Sequence, residues 1–336
     1  MSILPTVSLC TPTFNRRPFF TMMTQCVRHQ TYRHIVEWVI VDDGTDPIED
    51  LVTAVAPEFP FPLRYVRVAE KMTLGRKRNF MHDQCSGDIL VYVDDDDYYP
   101  PTRVAHSVET LLRHPEALCA GSSEMYIYFP DIEKMYRFGP YGPNHATAAT
   151  FAFRRTLLEQ TRYNDTFSVA EEKEFLKNYT VPFVQLDAKQ TILVVSHNHN
   201  SFDKRTLLNR GDPRVNETTV TMEELIAQPD LLRFFREEMG PLLEAYAPGK
   251  PENKPDVLEH IDKLTKEREK MIEDMKRQRQ VQVLKQFQEG YETKINQLVA
   301  EKAALQEHVD FLESKVTQLI QRQIATATAT QGDKKN

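Results

Sequence analysis

Apolar and polar residues alternate along residues 1–246 as short strand-like runs separated by amphipathic helical stretches. The strand-like runs lie at 7–11, 38–41, 63–68, 89–93 and 191–195, and the helical stretches at 19–30, 74–85 and 222–247. The runs at 38–41 and 89–93 are nearly continuous in apolar residues, as is typical of parallel strands buried on both faces. Alternating strands and helices imply right-handed crossovers. The pattern therefore predicts an α/β domain over residues 1–246, with a mostly parallel sheet flanked by helices.

The C-terminal part of the chain has a different pattern. Proline and glycine interrupt residues 247–256, which we interpret as a linker. Residues 257–322 contain no proline and only one glycine, Gly290. Apolar residues there recur at alternating steps of four and three, at Leu305, Val309, Leu312, Val316 and Leu319. This spacing predicts a coiled coil, with a single helix folded back on the domain as the alternative. Residues 323–336 read as a disordered tail.

The composition excludes several classes of partner and site. A net charge of -7 and a pI of about 5.9 give no electrostatic reason to expect a nucleic acid partner. The cysteines, Cys10, Cys26, Cys85 and Cys119, form no CxxC pair, so we expect buried free thiols rather than a zinc site. No apolar run is long enough to span a bilayer, and the sequence shows no signal peptide. We therefore expect a soluble, cytoplasmic protein without a membrane span.

Polar residues follow three of the strand-like runs at the point where each run ends. The run at 89–93 leads into Asp94, Asp95, Asp96 and Asp97, and the runs at 7–11 and 38–41 lead into polar loops. Ligands of parallel α/β sheets bind beyond the carboxyl ends of the strands. Adjacent carboxylates repel one another unless a cation neutralises them, and hard oxygen ligands suit Mg²⁺ or Mn²⁺. We predict a divalent metal site that contacts a nucleotide diphosphate, with a solvated acidic turn as the alternative.

Four segments together resemble the family-2 glycosyltransferases of the GT-A fold. They are VSLCTPTFNR, HQTYRHIVEWVIVDDGT, LGRKRN and GDILVYVDDDDYYPP. Their order and spacing match over about residues 5–105, and the resemblance continues more thinly to about residue 205. It implies a metal-dependent inverting glycosyltransferase that uses Mn²⁺ or Mg²⁺. The donor would be a nucleotide-diphosphate sugar, in our interpretation a UDP-sugar, and the acceptor a glycan or another hydroxyl compound.

The resemblance also assigns residues to the nucleotide pocket. Thr11, Pro12 and Asn15 are expected to line it near the base and ribose. Asp42 is expected to accept a hydrogen bond from the base, and Asp43 to support the loop that follows.

Further residues of the matching motifs are expected at the phosphates and the metal. Arg78 and Asn79 would face the nucleotide, although a surface position is the alternative for Arg78. Asp94 and Asp96 would be the two acids of the DxD motif and hold the metal, with Asp96 the more direct ligand. Asp97 matches the additional acid that often follows this motif.

A general base and a histidine complete the expected site. An inverting transfer needs a carboxylate that takes the proton of the acceptor hydroxyl. The resemblance places this base at Glu172, with Glu171 as its neighbour and alternative. Acidic residues also favour helix N-termini, so a purely structural role is the competing interpretation. After the run at 191–195, His197 is expected to meet the metal, with His199 as the alternative.

Two other functions remain open from the sequence. A nucleotidyltransferase has similar acids at its strand ends, but it favours a glycine-rich phosphate loop, and residues 14–17 contain no glycine. A non-catalytic scaffold would use the coiled coil as its working part. In either case we expect the coiled coil to form a homo-oligomer.

Overall fold

The computed structural model describes residues 4–208 and 211–332, with side chains as far as residue 326. The chain divides into two compact units between Lys263 and Leu264. The strands of the first unit are β1 (Val7–Thr13), β2 (Ile35–Asp42), β3 (Leu63–Arg67), β4 (Ile89–Tyr92), β5 (Cys119–Gly121), β6 (Met125–Phe129), β7 (Lys134–Phe138), β8 (Ala152–Arg154), β9 (Phe183–Gln185), β10 (Leu193–Val195) and β11 (Val215–Glu217).

The helices connect these strands and then continue into the second unit. They are α1 (Phe20–Arg28), α2 (Glu49–Val55), α3 (Leu74–Asp83), α4 (Arg103–Arg113), α5 (Glu172–Phe175), α6 (Arg205–Leu208), α7 (Met222–Leu225), α8 (Pro229–Arg233), α9 (Met239–Glu244) and α10 (Pro255–Gly332). A π-helical turn, Phe234–Glu238, joins α8 to α9. Single 3₁₀ turns lie at Arg17–Phe19, Ala56–Glu58, Ala148–Thr150, Arg155–Glu159, Ala188–Gln190, Ala247–Gly249 and Pro251–Asn253.

In the described part of the chain, two sheets form the frame of the first unit. The larger has seven strands in the order β3-β2-β1-β4-β8-β5-β9, and the smaller has four in the order β10-β6-β7-β11. Pairing is parallel from β3 through β4, whereas β8 runs antiparallel to both β4 and β5. The expected α/β fold with a mostly parallel sheet is confirmed.

Parallel pairing brings the carboxyl ends of β1, β2 and β4 to one edge of the larger sheet. Thr13 at the end of β1 is the register partner of Asp42 at the end of β2. Cys10 of β1 is the partner of Tyr92, the last residue of β4. The loops that follow these three strands therefore meet at this edge, which is where the sequence placed the ligand.

A chain of hydrogen bonds fixes the three strands just below this edge. The buried indole of Trp38 donates from Nε1 to Thr11 Oγ1 (2.9 Å). Thr11 Oγ1 in turn donates to the carbonyl of Val93 (2.6 Å), the residue before the aspartate run. Buried hydrogen bonds of this kind hold a unique register, because breaking one leaves a buried polar group without a partner.

The four cysteines lie buried as free thiols, as the sequence predicted. Although Cys10 and Cys85 are far apart in the chain, their sulfur atoms lie 3.5 Å apart in the core.

Helix α10 runs without interruption from Pro255 through Gly290 to Gly332. It extends past residue 322, where we expected the helical part to end, and residues 333–336 of the expected tail lie outside the described residues. Nowhere along the described chain is a helix long and apolar enough to cross a membrane.

Candidate active site

A cavity of about 240 Å³ opens at the edge where β1, β2 and β4 end. The residues that line it come from separate parts of the chain: Pro12, Thr13, Phe14, Arg16, Lys71, Met72, Leu74, Lys77, Asp95, Ser168, Val169, Ser201, Lys254 and Val257. Among the described side chains that line it, Arg16, Lys71, Lys77 and Lys254 are cationic, whereas only Asp95 is acidic. Several cations around one small cavity form an environment suited to a phosphate or diphosphate group.

The aspartate run follows β4 and crowds its carboxylates at the edge of this cavity. Burial raises the pKa of Asp94 to about 6. Burial and then the neighbouring Asp96 raise the pKa of Asp95 to about 7. Burial raises the pKa of Asp97 well above its usual value, although Asp97 accepts a hydrogen bond from the backbone N–H of Val195 (3.3 Å). These three acids therefore hold their protons more tightly than exposed aspartates do.

Asp96 differs from its neighbours. Burial alone would raise its pKa, but a hydrogen bond from His197 and the charge of Arg16 lower it below the usual value. His197 Nε2 and Arg16 Nη2 lie 3.2 Å and 3.3 Å from Asp96 Oδ2. Asp96 is therefore the member of the run that is ionised most readily.

Arg16 joins the aspartate run to the loops around it. Its Nε lies 3.5 Å from Asp95 Oδ1, in addition to the contact with Asp96. The same guanidinium donates to the carbonyls of His199 (3.0 Å) and Gly249 (3.3 Å). Arg16 thus contacts two acids of the run and two neighbouring loops. In the sequence, only its position after β1 indicated that it could lie at the site.

The two histidines after β10 have different surroundings. His197 Nδ1 accepts from the backbone N–H of His199 (3.2 Å), which leaves the proton of the neutral ring on Nε2, facing Asp96. Burial lowers the pKa of His197 to about 4, so the ring is neutral. His199 is buried, and among the described residues neither of its ring nitrogens has a hydrogen-bond partner. Its ring stacks against Tyr246 at 6.3 Å.

Arg78 lies between Glu171 and the aspartate run. Buried Arg78 donates from Nε to Glu171 Oε1 (3.1 Å), and its Nη2 lies 4.0 Å from Asp94 Oδ2. Its guanidinium also lies over the ring of Tyr92 at 4.3 Å. The alternative of a surface position for Arg78 is therefore wrong. Glu172 begins α5, and burial followed by the charge of Glu171 raises its pKa to about 7.

Several residues that we expected to contact a nucleotide instead form side-chain hydrogen bonds within the protein. Thr11 binds the neighbouring strands as described above, and Asn79 clamps the backbone of Tyr163 (2.8 Å and 3.0 Å). Asp42 accepts from the backbone N–H groups of Gly44 (2.8 Å) and Ile48 (3.0 Å) and from the hydroxyl of Tyr65 (2.9 Å).

One other expected residue lines the cavity, and two lie in the loops after β1 and β2. Pro12 lines the cavity. Asn15 adopts a left-handed backbone with a φ of 53° and donates from Nδ2 to the carbonyl of Pro248 (2.9 Å). Asp43 forms an ion pair with buried Lys77 and accepts from the backbone N–H of Met72 (2.7 Å). The sequence analysis did not single out Lys77 or Lys254, and Lys254 lies within the predicted linker.

The expected metal ligands are only partly brought together. Asp96 Oδ2 and His197 Nε2 are 3.2 Å apart, whereas the Asp94 carboxylate faces Arg78. Within the described residues, no three His, Cys, Asp or Glu side chains are arranged to hold an ion. A pair of ligands nevertheless fits Mg²⁺ or Mn²⁺, which fill their remaining positions with water and phosphate oxygens. Among the residues that the structure describes, Asp94 Oδ1 is buried without a hydrogen-bond partner, so this oxygen is available as a further ligand.

Comparison with known proteins shows a family similarity for part of the chain. Residues 8–168 match the model of Glycosyl transferase family 2. The matched segment carries β1, β2, β4 and the aspartate run.

Two curated proteins show the same similarity. The uncharacterized glycosyltransferase YwdF of Bacillus subtilis is 25% identical over 174 residues, 47% of this chain and 62% of YwdF. The amylovoran biosynthesis glycosyltransferase AmsE of Erwinia amylovora is 28% identical over 105 residues, 30% of this chain and 39% of AmsE. The chain thus spans less than two thirds of either relative.

Solved structures show a weaker likeness. Staphylococcus aureus TarS in complex with UDP-GlcNAc is 17% identical with a TM-score of 0.44, over 57% of this chain and 59% of that one. The mannosyltransferase PcManGT of Pyrobaculum calidifontis, in complex with GDP-Man and Mn²⁺, is 18% identical with a TM-score of 0.46, over 57% of both chains. Likeness at this level establishes neither ligand nor mechanism for the present chain.

Replacing Arg78 by methionine should destabilise the first unit by about 3–5 kcal/mol, because it leaves Glu171 and Asp94 without their buried cation. Urea unfolding followed by the fluorescence of Trp38, the only tryptophan, measures the loss. Arg76→Met on the exposed face of α3 is the matched control and should change stability by less than about 0.5 kcal/mol. The double variant Arg78→Met with Glu171→Gln should have a free energy of unfolding about 1 kcal/mol or more above that of Arg78→Met alone. If the losses of the two single variants simply add in the double variant, the ion pair between Arg78 and Glu171 is contradicted.

Proposed function

We propose that this chain is a metal-dependent inverting glycosyltransferase that uses a nucleotide-diphosphate sugar, a UDP-sugar in the first instance. The observation that carries the proposal is the cationic cavity beside the aspartate run, at the sheet edge of the segment that matches the family-2 model. The cavity offers charge for a diphosphate, and the aspartates offer oxygen ligands for a cation. The acceptor is proposed to be a hydroxyl compound such as a glycan.

Glu172 is proposed as the general base. A base that works near neutral pH needs a pKa close to 7, and burial beside Glu171 gives Glu172 such a value. The carboxylate of Glu171 is instead engaged by a hydrogen bond from Arg78. Glu172 would take the proton of the acceptor hydroxyl as its oxygen attacks the anomeric carbon from the face opposite the diphosphate.

Asp96 and His197 are proposed to hold the divalent cation, with Asp94 Oδ1 as a further oxygen nearby. When bound, Mg²⁺ or Mn²⁺ neutralises charge that develops on the leaving diphosphate. Binding through His197 Nε2 requires the ring proton to move to Nδ1, so the hydrogen bond from the backbone of His199 would be given up. Arg16 already faces the same carboxylates and would shift its contacts toward the diphosphate.

The nucleotidyltransferase and the scaffold make different demands on the site. In a nucleotidyltransferase reaction a substrate oxygen attacks a phosphorus atom rather than the anomeric carbon of a sugar. That function therefore does not account for the raised pKa of Glu172. A scaffold needs neither that carboxylate nor a cationic cavity. Incubation with a panel of UDP-, GDP- and other nucleotide sugars and Mn²⁺ separates the three, because only a glycosyltransferase releases nucleoside diphosphate from one of the donors in the presence of its acceptor.

We also propose that α10 associates with other copies of this chain through a coiled coil. The apolar residues of its repeat are exposed on the single helix, from 45% at Val309 to 67% at Leu305. Apolar side chains at heptad spacing gain stability by packing against a partner helix.

Glu172→Gln should reduce kcat by about 10²–10⁴-fold while leaving donor affinity unchanged, because the amide cannot take a proton. In the wild type the rate should rise as the pH increases through about 7, since Glu172 must lose its proton to act as a base. Initial rates across a pH series and donor titrations measure both effects. Glu174→Gln, an exposed neighbour on α5, is the control and should retain both rate and pH profile. Loss of donor binding in Glu172→Gln would mean that Glu172 is structural.

Asp96→Asn should weaken UDP binding in the presence of Mn²⁺ by at least about tenfold, because it removes a charged ligand of the cation. Titration calorimetry with Mn²⁺ and with EDTA measures the two affinities. In EDTA the variant should bind UDP as well as the wild type, since no cation is lost. If the variant loses the same UDP affinity with Mn²⁺ and with EDTA, Asp96 is not a metal ligand and instead holds Arg16 in place.

A chain that ends at Lys263 should be monomeric and should still release nucleoside diphosphate from its donor, because it retains the whole first unit. The full chain should have a mass that is a multiple of 39.0 kDa. Light scattering gives both masses. Leu312→Glu combined with Val316→Glu should dissociate the full-length oligomer, whereas Glu313→Gln, which lies off the repeat, should not. A monomeric full-length wild type would contradict the coiled coil.

A further inference from the structure

Residues 246–260, here called the strap, pass beside the cavity between α9 and the body of α10. At the start of the strap, the Tyr246 hydroxyl donates to Asp46 Oδ2 (2.8 Å), and Asn15 Nδ2 donates to the carbonyl of Pro248 (2.9 Å). Arg16 Nη1 donates to the carbonyl of Gly249 (3.3 Å). These hydrogen bonds thus hold the strap against the loops after β1 and β2.

The other end of the strap is fastened to the opposite side of the cavity. Lys71 Nζ lies 2.6 Å from Asp256 Oδ1, and Ser168 Oγ donates to Asp256 Oδ2 (3.3 Å). The backbone N–H of Ser168 donates to His260 Nδ1 (3.2 Å). These contacts hold the strap against the rest of the first unit. Residues 247–256 are therefore more than the linker that the sequence predicted.

Gly249 shows how closely the strap approaches the site. A Cβ atom at this position would lie 2.6 Å from His199 Nδ1 and 2.9 Å from the carbonyl oxygen of Asn15. Only glycine allows the two backbones to come this near without displacement.

Lys254 is the part of the strap that enters the cavity. It is buried at 8% exposure, and its Nζ lies 5.9 Å from the centre of the Phe14 ring. The other cations of the cavity already have partners: Arg16 faces Asp95 and Asp96, Lys71 pairs with Asp256, and Lys77 pairs with Asp43. Among the described residues, the ammonium of Lys254 has neither a hydrogen bond nor an ion pair.

Burying an ammonium group without a hydrogen bond or an ion pair costs free energy, and a bound ligand of opposite charge offsets that cost. Burial and the charge of Arg16 lower the pKa of Lys254 to about 7, against the opposite influence of Asp95 and Asp96. A bound anion would add the negative charge that the ammonium lacks. The small cavity, its cationic lining and the compact point charge of a lysine are together suited to phosphate oxygens.

We propose that Lys254 binds the diphosphate of the donor, so that the strap forms one wall of the donor site. This inference rests on the proposed glycosyltransferase function, which it deepens. Lys254 supplies positive charge within the cavity, and the contacts of the strap with Asn15, Arg16 and Ser168 hold it there.

Titration calorimetry on the full-length chain with inorganic pyrophosphate and Mg²⁺ tests this role directly. Lys254→Met should weaken pyrophosphate binding by at least about tenfold, because one charged contact is lost. Lys254→Arg, which keeps the charge, should stay within about threefold of the wild type. Lys250→Met, at an exposed position of the same strap, is the matched control and should bind as the wild type does.

UDP and uridine distinguish a phosphate contact from a general disturbance. Lys254→Met should weaken UDP as it weakens pyrophosphate and should leave uridine unaffected. Unchanged pyrophosphate affinity, or an equal loss for uridine, would overturn the role proposed for Lys254.

Turnover of nucleotide sugars by the wild type tests the proposed function separately. If a donor is turned over but Lys254→Met binds pyrophosphate normally, only the role of Lys254 is wrong. If Lys254→Met loses pyrophosphate but the wild type turns over no donor, Lys254 remains an anion-binding residue and the glycosyltransferase proposal is wrong.

Discussion

The site of this protein depends on the placement of adjacent carboxylates at the end of one buried strand. Acids crowded together in a low dielectric repel one another and hold their protons unless cations approach them. Here the cations come from elements distant in the chain: Arg16 follows β1 and Arg78 lies on α3. The same requirement draws the loop after β10 toward the run through His197. The need to compensate these charges therefore explains why separate segments converge on one edge of the sheet.

Neighbouring acids within the site are given different states by their surroundings. Asp96 has three hydrogen-bonding partners, Arg16, His197 and Asn200, and a lowered pKa, whereas Asp95 beside it has a raised one. Glu172 has a raised pKa as well, and its neighbour Glu171 is paired with Arg78. Enzymes commonly contain two titratable groups with different pKa values. This arrangement occurs where the reaction needs an ionised group beside a proton acceptor.

Local sequence pattern predicted the elements well where they are long and apolar. The strands β1, β2, β3 and β4 follow from such runs, and parallel pairing then places their ends together. The directions of individual side chains do not follow from spacing. Thr11 and Asn79 belong to recognisable motifs, yet both satisfy backbone groups inside the protein. Lys254 lies among prolines and lacks any local signal, because its position is set by contacts with residues more than 80 positions away, such as Ser168 to Asp256.

The strap also bears on where the functional unit of this protein ends. The family match stops at residue 168, but His197, Gly249 and Lys254 all lie beyond it and contact or line the same site. A chimera built by exchanging the matched segment between relatives would combine the aspartate run of one protein with the strap of another. The cavity of such a hybrid would then be lined by residues of both parents, and the strap would have to be exchanged together with the matched segment to keep the lining of one parent intact.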